Sequence, residues 1–181
     1  MLLQIIMAKS YKEYLHQITT FIFDVDGVFT DGSLHITTQG EMHRTMNVKD
    51  GYAVRAALDA GYKVCIISGG TDEGVRNRLQ ALGVKDVFLG AHDKTKFLNQ
   101  YIDANSIALE NILYMGDDIP DYPVLEKVGL ATCPQDAVKE IKEISKYISH
   151  KKGGKGCVRD VIEQVLKVQG NWMRNPDASA H

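Results

Sequence analysis

Cysteine is scarce in this chain: Cys65, Cys133 and Cys157 are the only three among 181 residues, an odd number with no Cys-x-x-Cys spacing. Neither a disulfide framework nor a structural metal is needed at this length, because such a chain buries about 70% of its unfolded surface. The three read as reduced, intracellular thiols and predict a cytoplasmic protein. Charge of one sign is also lacking: 21 Lys and Arg face 23 Asp and Glu, for a formal net charge of -2. Such a balance creates no field that would draw nucleic acid or an anionic membrane, so an anionic ligand must be caught locally. No apolar run approaches the roughly 18 residues of a membrane span. The opening Met1-Leu2-Leu3-Gln4-Ile5-Ile6-Met7 lacks a basic flank before it and a small-residue cleavage site after it, which argues against a signal peptide and makes Met7 a candidate start. Repeats and low-complexity stretches are absent, and the polar tail Asn175-Pro176-Asp177-Ala178-Ser179 is expected to fray.

What remains is an alternation of short apolar runs with amphipathic stretches, the pattern of parallel strands joined by crossover helices. Strands are predicted over 20–25, 63–67, 86–89, 112–115, 130–132 and 146–148, and helices over 51–60, 72–82, 94–104, 120–127, 136–142 and 157–168. One segment breaks the alternation. Ser33 to Thr37 and Glu41 to Val48 flank the turn signal Thr38-Gln39-Gly40 and predict a β-hairpin inside the first crossover. Its alternating Leu34, Ile36, Met42, Met46 and Val48 offer an apolar side that a small monomer has difficulty burying, and such edges pair. The domain boundaries that follow are an N-terminal extension over 1–16, one domain over 17–170 with the hairpin at about 33–48, and a tail over 171–181.

In an open parallel sheet the ligand site lies beyond the carboxyl ends of the strands. The first strand ends in Asp24-Val25-Asp26-Gly27-Val28-Phe29-Thr30-Asp31-Gly32, where alternate carboxylates leave an extended backbone on one side. A calcium loop is excluded, since its sixth position should be glycine and its twelfth, His35 here, should be glutamate. A second acidic group, Gly116-Asp117-Asp118-Ile119-Pro120-Asp121, ends the fourth strand, and there Asp118 or Asp121 can equally serve to cap the turn at Pro120. Two acidic clusters at one sheet edge repel unless a cation lies between them, and an all-oxygen donor set selects Mg²⁺. Ser68-Gly69-Gly70 follows the second strand, where a hydroxyl and free N–H groups suit phosphoryl oxygens, although Ser68 is as readily a plain N-cap. Lys94 opens a helix, an unfavourable place for a cation unless an anion is near; alone it would read as a solvated side chain. His35, His43 and His92 show no ligand spacing, and His150-Lys151-Lys152-Gly153-Gly154-Lys155-Gly156 lacks the Ser/Thr and the leading glycine of a P-loop.

The order Asp-x-Asp, Ser, Lys, Gly-Asp-Asp-x-x-Asp resembles the four motifs of the haloacid-dehalogenase superfamily of phosphotransferases. By that resemblance the fold is a three-layer, Rossmann-like α/β sheet. Asp24 is the nucleophile, Asp26 the general acid/base, Ser68, Gly69 and Lys94 the phosphate binders, and Asp24, Asp26 (through its carbonyl) and Asp117 the Mg²⁺ ligands, with Asp118 and Asp121 in support. Asp26 then has to start neutral, which calls for solvent-poor surroundings. No cap domain fits between Asp26 and Ser68 or between Ser68 and Lys94, so the site is open and another subunit or a large substrate must cover it. More narrowly, Asn47-Val48-Lys49-Asp50-Gly51-Tyr52 and Gly153-Gly154-Lys155-Gly156-Cys157-Val158-Arg159 make the chain similar to the 3-deoxy-D-manno-octulosonate 8-phosphate phosphatase family of lipopolysaccharide synthesis. That family implies a small sugar-acid phosphate substrate, a homotetramer, and Lys49, Asp50, Gly51 and Lys155 as substrate contacts. Two departures stand out. Gly70 stands where many relatives have an arginine, so the contact that arginine makes is either absent or replaced, with Arg76 and Arg78 as the candidates, and Lys155 stands where relatives usually have an arginine whose forked contact it cannot make. A phosphatase for a nine-carbon keto-sugar 9-phosphate is the neighbouring alternative. A receiver-like signalling module is disfavoured, because its acidic pair would end the first strand and its lysine would come last.

Overall fold

In the computed structural model, which describes residues 10–173, six strands lie side by side in one sheet, the inner ones buried. They are β1 (Thr20–Phe23), β4 (Lys63–Ile67), β5 (Asp86–Phe88), β6 (Ile112–Met115), β7 (Leu130–Cys133) and β8 (Tyr147–Ile148), in the order β5-β4-β1-β6-β7-β8 and parallel throughout. Alternation within β1 shows how the layers arise: Phe21 and Phe23 point into one core, and Ile22 into the other. The first core is roofed by α2 (Val48–Asp59), α3 (Glu73–Ala81) and α7 (Cys157–Val168), the second by α4 (Lys94–Asn105), α5 (Tyr122–Leu125) and α6 (Lys139–Ile144). The expected three-layer α/β architecture without a cap is therefore present. The chain runs outward from β1 through β4 to β5 and then returns to the other side of β1 with β6, so the switch of direction falls at the carboxyl end of β1.

The hairpin is shorter than its sequence suggests. Only β2 (His35–Ile36) and β3 (Met42–His43) pair, and Val48 belongs to α2, whose N-cap Asn47 accepts the amide of Lys49 at 2.9 Å. Leu34, Ile36, Met42 and Val48 are exposed, as the pattern implied, whereas Met46 packs on the core. The helix expected over 120–127 divides into a 3-10 turn at Ile119–Asp121 and the short α5, and the one expected over 136–142 is α6. α1 (Tyr11–Tyr14) and a 3-10 turn at Leu15–Gln17 were not foreseen; Leu15 and Ile18 are buried, and the Tyr11 hydroxyl donates to Gln164 of α7 at 3.0 Å. At the other end Trp172 packs against Tyr52 and Arg159. Met7 and the tail from Asn175 lie outside the described residues. No helix among the described residues is long and apolar enough to cross a membrane, and all three cysteines are free and buried.

Candidate active site

Three neighbouring strands end together: Asp24 follows β1, Ser68 follows β4 and Asp117 follows β6, the first two held by the ladder itself and the third by the Asp121 carboxylate. The Asp24 amide donates to Met115 at 3.1 Å, and the Ser68 amide to Phe88 at 2.9 Å. With Lys94 from the first turn of α4 they line an open cavity of about 290 Å³ that also includes Asp26, Gly27, Gly69, Asp118 and Asp121. Asp24 and Lys94 are buried, and their charged atoms are 2.8 Å apart. A buried lysine at a helix start is costly unless carboxylates hold it, and here Asp121 holds it from the other side at 2.7 Å. Burial pulls the Lys94 ammonium down, but Asp24 and Asp121 outweigh it and leave it above the ordinary lysine value.

Asp121 is spent on support. Its Oδ1 accepts from Lys94 and, at 2.5 Å, from the buried Tyr114 hydroxyl, while Oδ2 accepts the amides of Asp117 at 3.2 Å and Asp118 at 3.5 Å. Asp118 accepts the amide of Ile119 at 2.8 Å as the cap of the following turn. One carboxylate oxygen each of Asp24, Asp117 and Asp121 lie within 4.8 Å of one another. Asp121 carries four donors, whereas among the described residues Asp24 accepts only from Lys94 and the Val25 amide, which leaves Asp24 and Asp117 as the side chains with lone pairs for a cation. Burial, then Asp24 and Asp121, push Asp117 up to about 8, and burial, then Asp121, raise Asp24 to about 6 against the pull of Lys94. Hard oxygen donors crowded at this cost in charge fit Mg²⁺. Gly27 is required at the centre: its φ is +81°, and a Cβ there would overlap the Asp117 carboxylate.

Ser68 is buried but is not a helix N-cap, because α3 begins at Glu73 under Asp72, which accepts the amides of Gly74 and Val75. The expectation that Ser68-Gly69-Gly70 opens the helix is corrected accordingly: Thr71 and Asp72 intervene, and the loop offers its own hydroxyl and amides to the cavity. Asp26 is not solvent-poor. Its side chain is 37% exposed and is gripped by Arg44, which the sequence reading missed, through Nε at 2.7 Å and Nη2 at 3.1 Å. The guanidinium beside Gly70 is that of Arg44. Arg76 is turned to Glu73 and the Val87 carbonyl, and Arg78 lies against Gly51. Nothing in the local sequence marks Arg44; only the folding back of the hairpin brings it to the site.

Lys49, Asp50, Gly51 and Lys155 do not line the acidic cavity of their own chain. Asp50 is corrected outright: it is fully buried, and its Oδ1 accepts the amide of Arg159 at 2.7 Å, so it caps α7 instead of meeting a ligand. Gly51 is buried with it under Arg78 and Leu82. Lys49 and Lys155 line a separate, basic cleft with His150, Lys151 and Arg159. Gly153 and Gly154 brace the loop after Asp26 from behind, the Gly154 amide donating to the Val28 carbonyl at 2.9 Å.

Comparison with known proteins accords with this geometry. Residues 86–162 match the model of the haloacid dehalogenase-like hydrolases. A Salmonella typhi protein, 3-deoxy-D-manno-octulosonate 8-phosphate phosphatase KdsC, is 38% identical over 153 residues, 84% of this chain and 81% of its own length. The crystal structure of 3-deoxy-D-manno-octulosonate 8-phosphate phosphatase from Yersinia pestis superposes with a TM-score of 0.88 at 32% identity, covering 91% of this chain and 89% of the other. That from Moraxella catarrhalis, in complex with magnesium ion, phosphate ion and KDO, gives 0.87 at 30% identity, covering 90% and 93%. With its capless parallel sheet, its lysine-bridged aspartates and this likeness over most of its length, the chain belongs to the 3-deoxy-D-manno-octulosonate 8-phosphate phosphatase family of haloacid dehalogenase-like hydrolases.

Proposed function

We propose that this chain is a Mg²⁺-dependent phosphomonoesterase that hydrolyses 3-deoxy-D-manno-octulosonate 8-phosphate to the free sugar acid and phosphate, as a step toward lipopolysaccharide. The observation that carries the reading is the buried Lys94 ammonium seated between Asp24 and Asp121 beside the Asp117 carboxylate. A phosphate dianion repels an aspartate nucleophile by about 4 kcal/mol per pair of unit charges at 4 Å and an effective dielectric of 20. Lys94 removes part of that repulsion and Ser68 and Gly69 hold the phosphoryl oxygens. When bound to Asp24, Asp117 and the Asp26 carbonyl, Mg²⁺ supplies the rest of the charge cancellation. Asp24 then attacks phosphorus in line as Asp26 gives a proton to the departing sugar oxygen; Asp26 next takes a proton from the water that opens the phosphoaspartate.

The capless cavity and the exposed apolar hairpin support self-association, read here as a homotetramer in the cytoplasm, in which Lys49 and Lys155 meet the sugar acid across subunits. The domain reading remains an extension over 1–16, a catalytic domain over 17–170 and a tail over 171–181. Phosphate release from the eight-carbon sugar 8-phosphate, set beside a nine-carbon keto-sugar 9-phosphate, tests the activity. Release should need Mg²⁺, stop with chelator, favour the eight-carbon substrate and vanish in Asp24→Asn. Chelator-insensitive hydrolysis, or turnover near the parent's in that variant, overturns the reading.

A further inference from the structure

Arg44 is an arginine out of place. It sits immediately after β3, between the exposed His43 and Thr45, yet its side chain is only 9% exposed. The guanidinium turns inward and forks onto both oxygens of Asp26 at 2.7 and 3.1 Å, and its third nitrogen reaches Asp72 at 3.1 Å. Arg44 lines a narrow pocket together with Val25, Val75 and Leu89. A Cβ on Gly70 would stand 3.4 Å from both Nη2 of Arg44 and Oδ2 of Asp26, in ordinary contact with the pair, so the guanidinium and the carboxylate meet directly over this residue.

The hairpin has little else to hold it. Its ladder is two residue pairs long and its strand residues are exposed, and a ribbon of that size is marginal alone. Asp26 in turn sits on a loop, with an exposed carboxylate whose direction nothing rigid fixes except this fork. A bidentate guanidinium–carboxylate pair sets both distance and plane, which a single ammonium does not.

We propose that Arg44 is a positioning residue for Asp26: carried by the hairpin and seated against Gly70, it aims the Asp26 carboxylate at the leaving-group oxygen and makes that aim depend on where the hairpin lies. The catalytic part rests on the reading of Asp26 as the proton donor above; the tether between hairpin and site does not. The step served is one proton passing from the Asp26 carboxyl to the sugar oxygen as its bond to phosphorus breaks, while Asp24 forms the new bond to phosphorus; because the fork onto both oxygens favours the ionised form, one N–H of Arg44 has to leave the oxygen that carries the proton.

The test compares kcat/KM, which stops at release of the leaving group, for the sugar phosphate and for 4-nitrophenyl phosphate, whose phenolate departs without a proton. Arg44→Ala should lower the first by about 100-fold, the scale of a misaimed catalytic group, and the second by less than about threefold. Arg44→Lys should fall between, having no fork. Asp72→Asn keeps an oxygen to cap α3 while loosening Arg44, and should shift both ratios in the same direction by a smaller factor. Amide hydrogen exchange over residues 35–45 is read in every variant and should speed about tenfold in Arg44→Ala, with exchange in β1 and β4 unchanged. Equal losses on both substrates, which a direct phosphate contact or general damage would give, overturn the proposal, as does no loss at all. Should the parent release phosphate from neither substrate, the enzymatic reading fails by itself; exchange then judges the tether, and an unaltered hairpin refutes it.

Discussion

Asp50→Asn gives a sharp test of how this fold stores charge. The Asp50 carboxylate is fully buried; Oδ1 accepts the Arg159 amide at 2.7 Å and Oδ2 has no partner. Burial above all pushes it from 3.8 up to about 6, against the pull of the amides of Arg159 and Gly156 and of the Arg159 charge. The folded chain therefore binds this proton more tightly than the unfolded one. The stability linked to it is complete below the unfolded value and is lost as pH rises through about 6. At 1.36 kcal/mol per unit, the ionised carboxylate weakens the fold by about 3 kcal/mol. That figure already includes the positive end of α7, whose Gly156 and Arg159 amides are among the groups that pull Asp50 down. Asparagine keeps the acceptor for Arg159 and discards the charge, so after about 1 kcal/mol for its unpaired amide group the variant should be about 2 kcal/mol more stable than the parent at pH 8. Between pH 8 and pH 5 that advantage should shrink by about 1 kcal/mol, as the parent takes up its proton. Urea unfolding of both proteins at equal concentration across that range measures the difference, in which all other titrations cancel. A difference that stays flat with pH, or a variant weaker by more than about 2 kcal/mol at pH 8, would refute a buried, strained charge at position 50.

Three further outcomes follow from the same coordinates. Lys94→Met strands the buried Asp24 and Asp121 without their shared cation and should destabilise the chain by about 3–5 kcal/mol in urea, as well as stopping phosphate release; an unchanged midpoint would contradict the burial of that triad. Because Asp24 and Asp117 stand near about 6 and 8, protons compete with Mg²⁺, and affinity should tighten by about tenfold per unit from pH 6 to 8; calorimetry in buffers of different ionisation enthalpy should count protons released, and none would refute the shifts. In Gly153→Ala a Cβ would overlap the Gly27 carbonyl oxygen and lie 2.9 Å from that of Thr30, so the bracing loop must lift, with a loss of about 1–3 kcal/mol in thermal melting and weaker Mg²⁺ binding; parental values for both would show that the loop gives way freely.

The strands were legible because each is a short apolar run bounded by polar turns: the expected 63–67 and 112–115 coincide with β4 and β6, and 157–168 with α7. Asp24, Ser68, Lys94 and Asp117 were legible for a related reason. Each stands at a strand's carboxyl end or a helix's first turn, where a residue type that serves the fold poorly draws notice. The hairpin misled, since alternation over 41–48 does not reveal that Asn47 caps a helix and ends the strand. Asp50 misled for another reason: the resemblance made it a substrate contact, and only the packing of α7 across it shows a buried carboxylate that accepts the Arg159 amide.

Local chemistry written along the chain was enough to specify the layered sheet and the two acidic turns, because these depend on periodicity and on neighbours a few residues apart; Lys94, which alone reads as a solvated side chain, was singled out by the order of the four motifs. Long-range closure assigned the remaining roles. Arg44 reaches Asp26 from 18 residues away and Arg159 lends its amide to Asp50 from 109 residues away. Neither pairing leaves a trace in local pattern, since what selects it is the burial of charge once helices and hairpin have packed, and burial is a property of the assembled molecule.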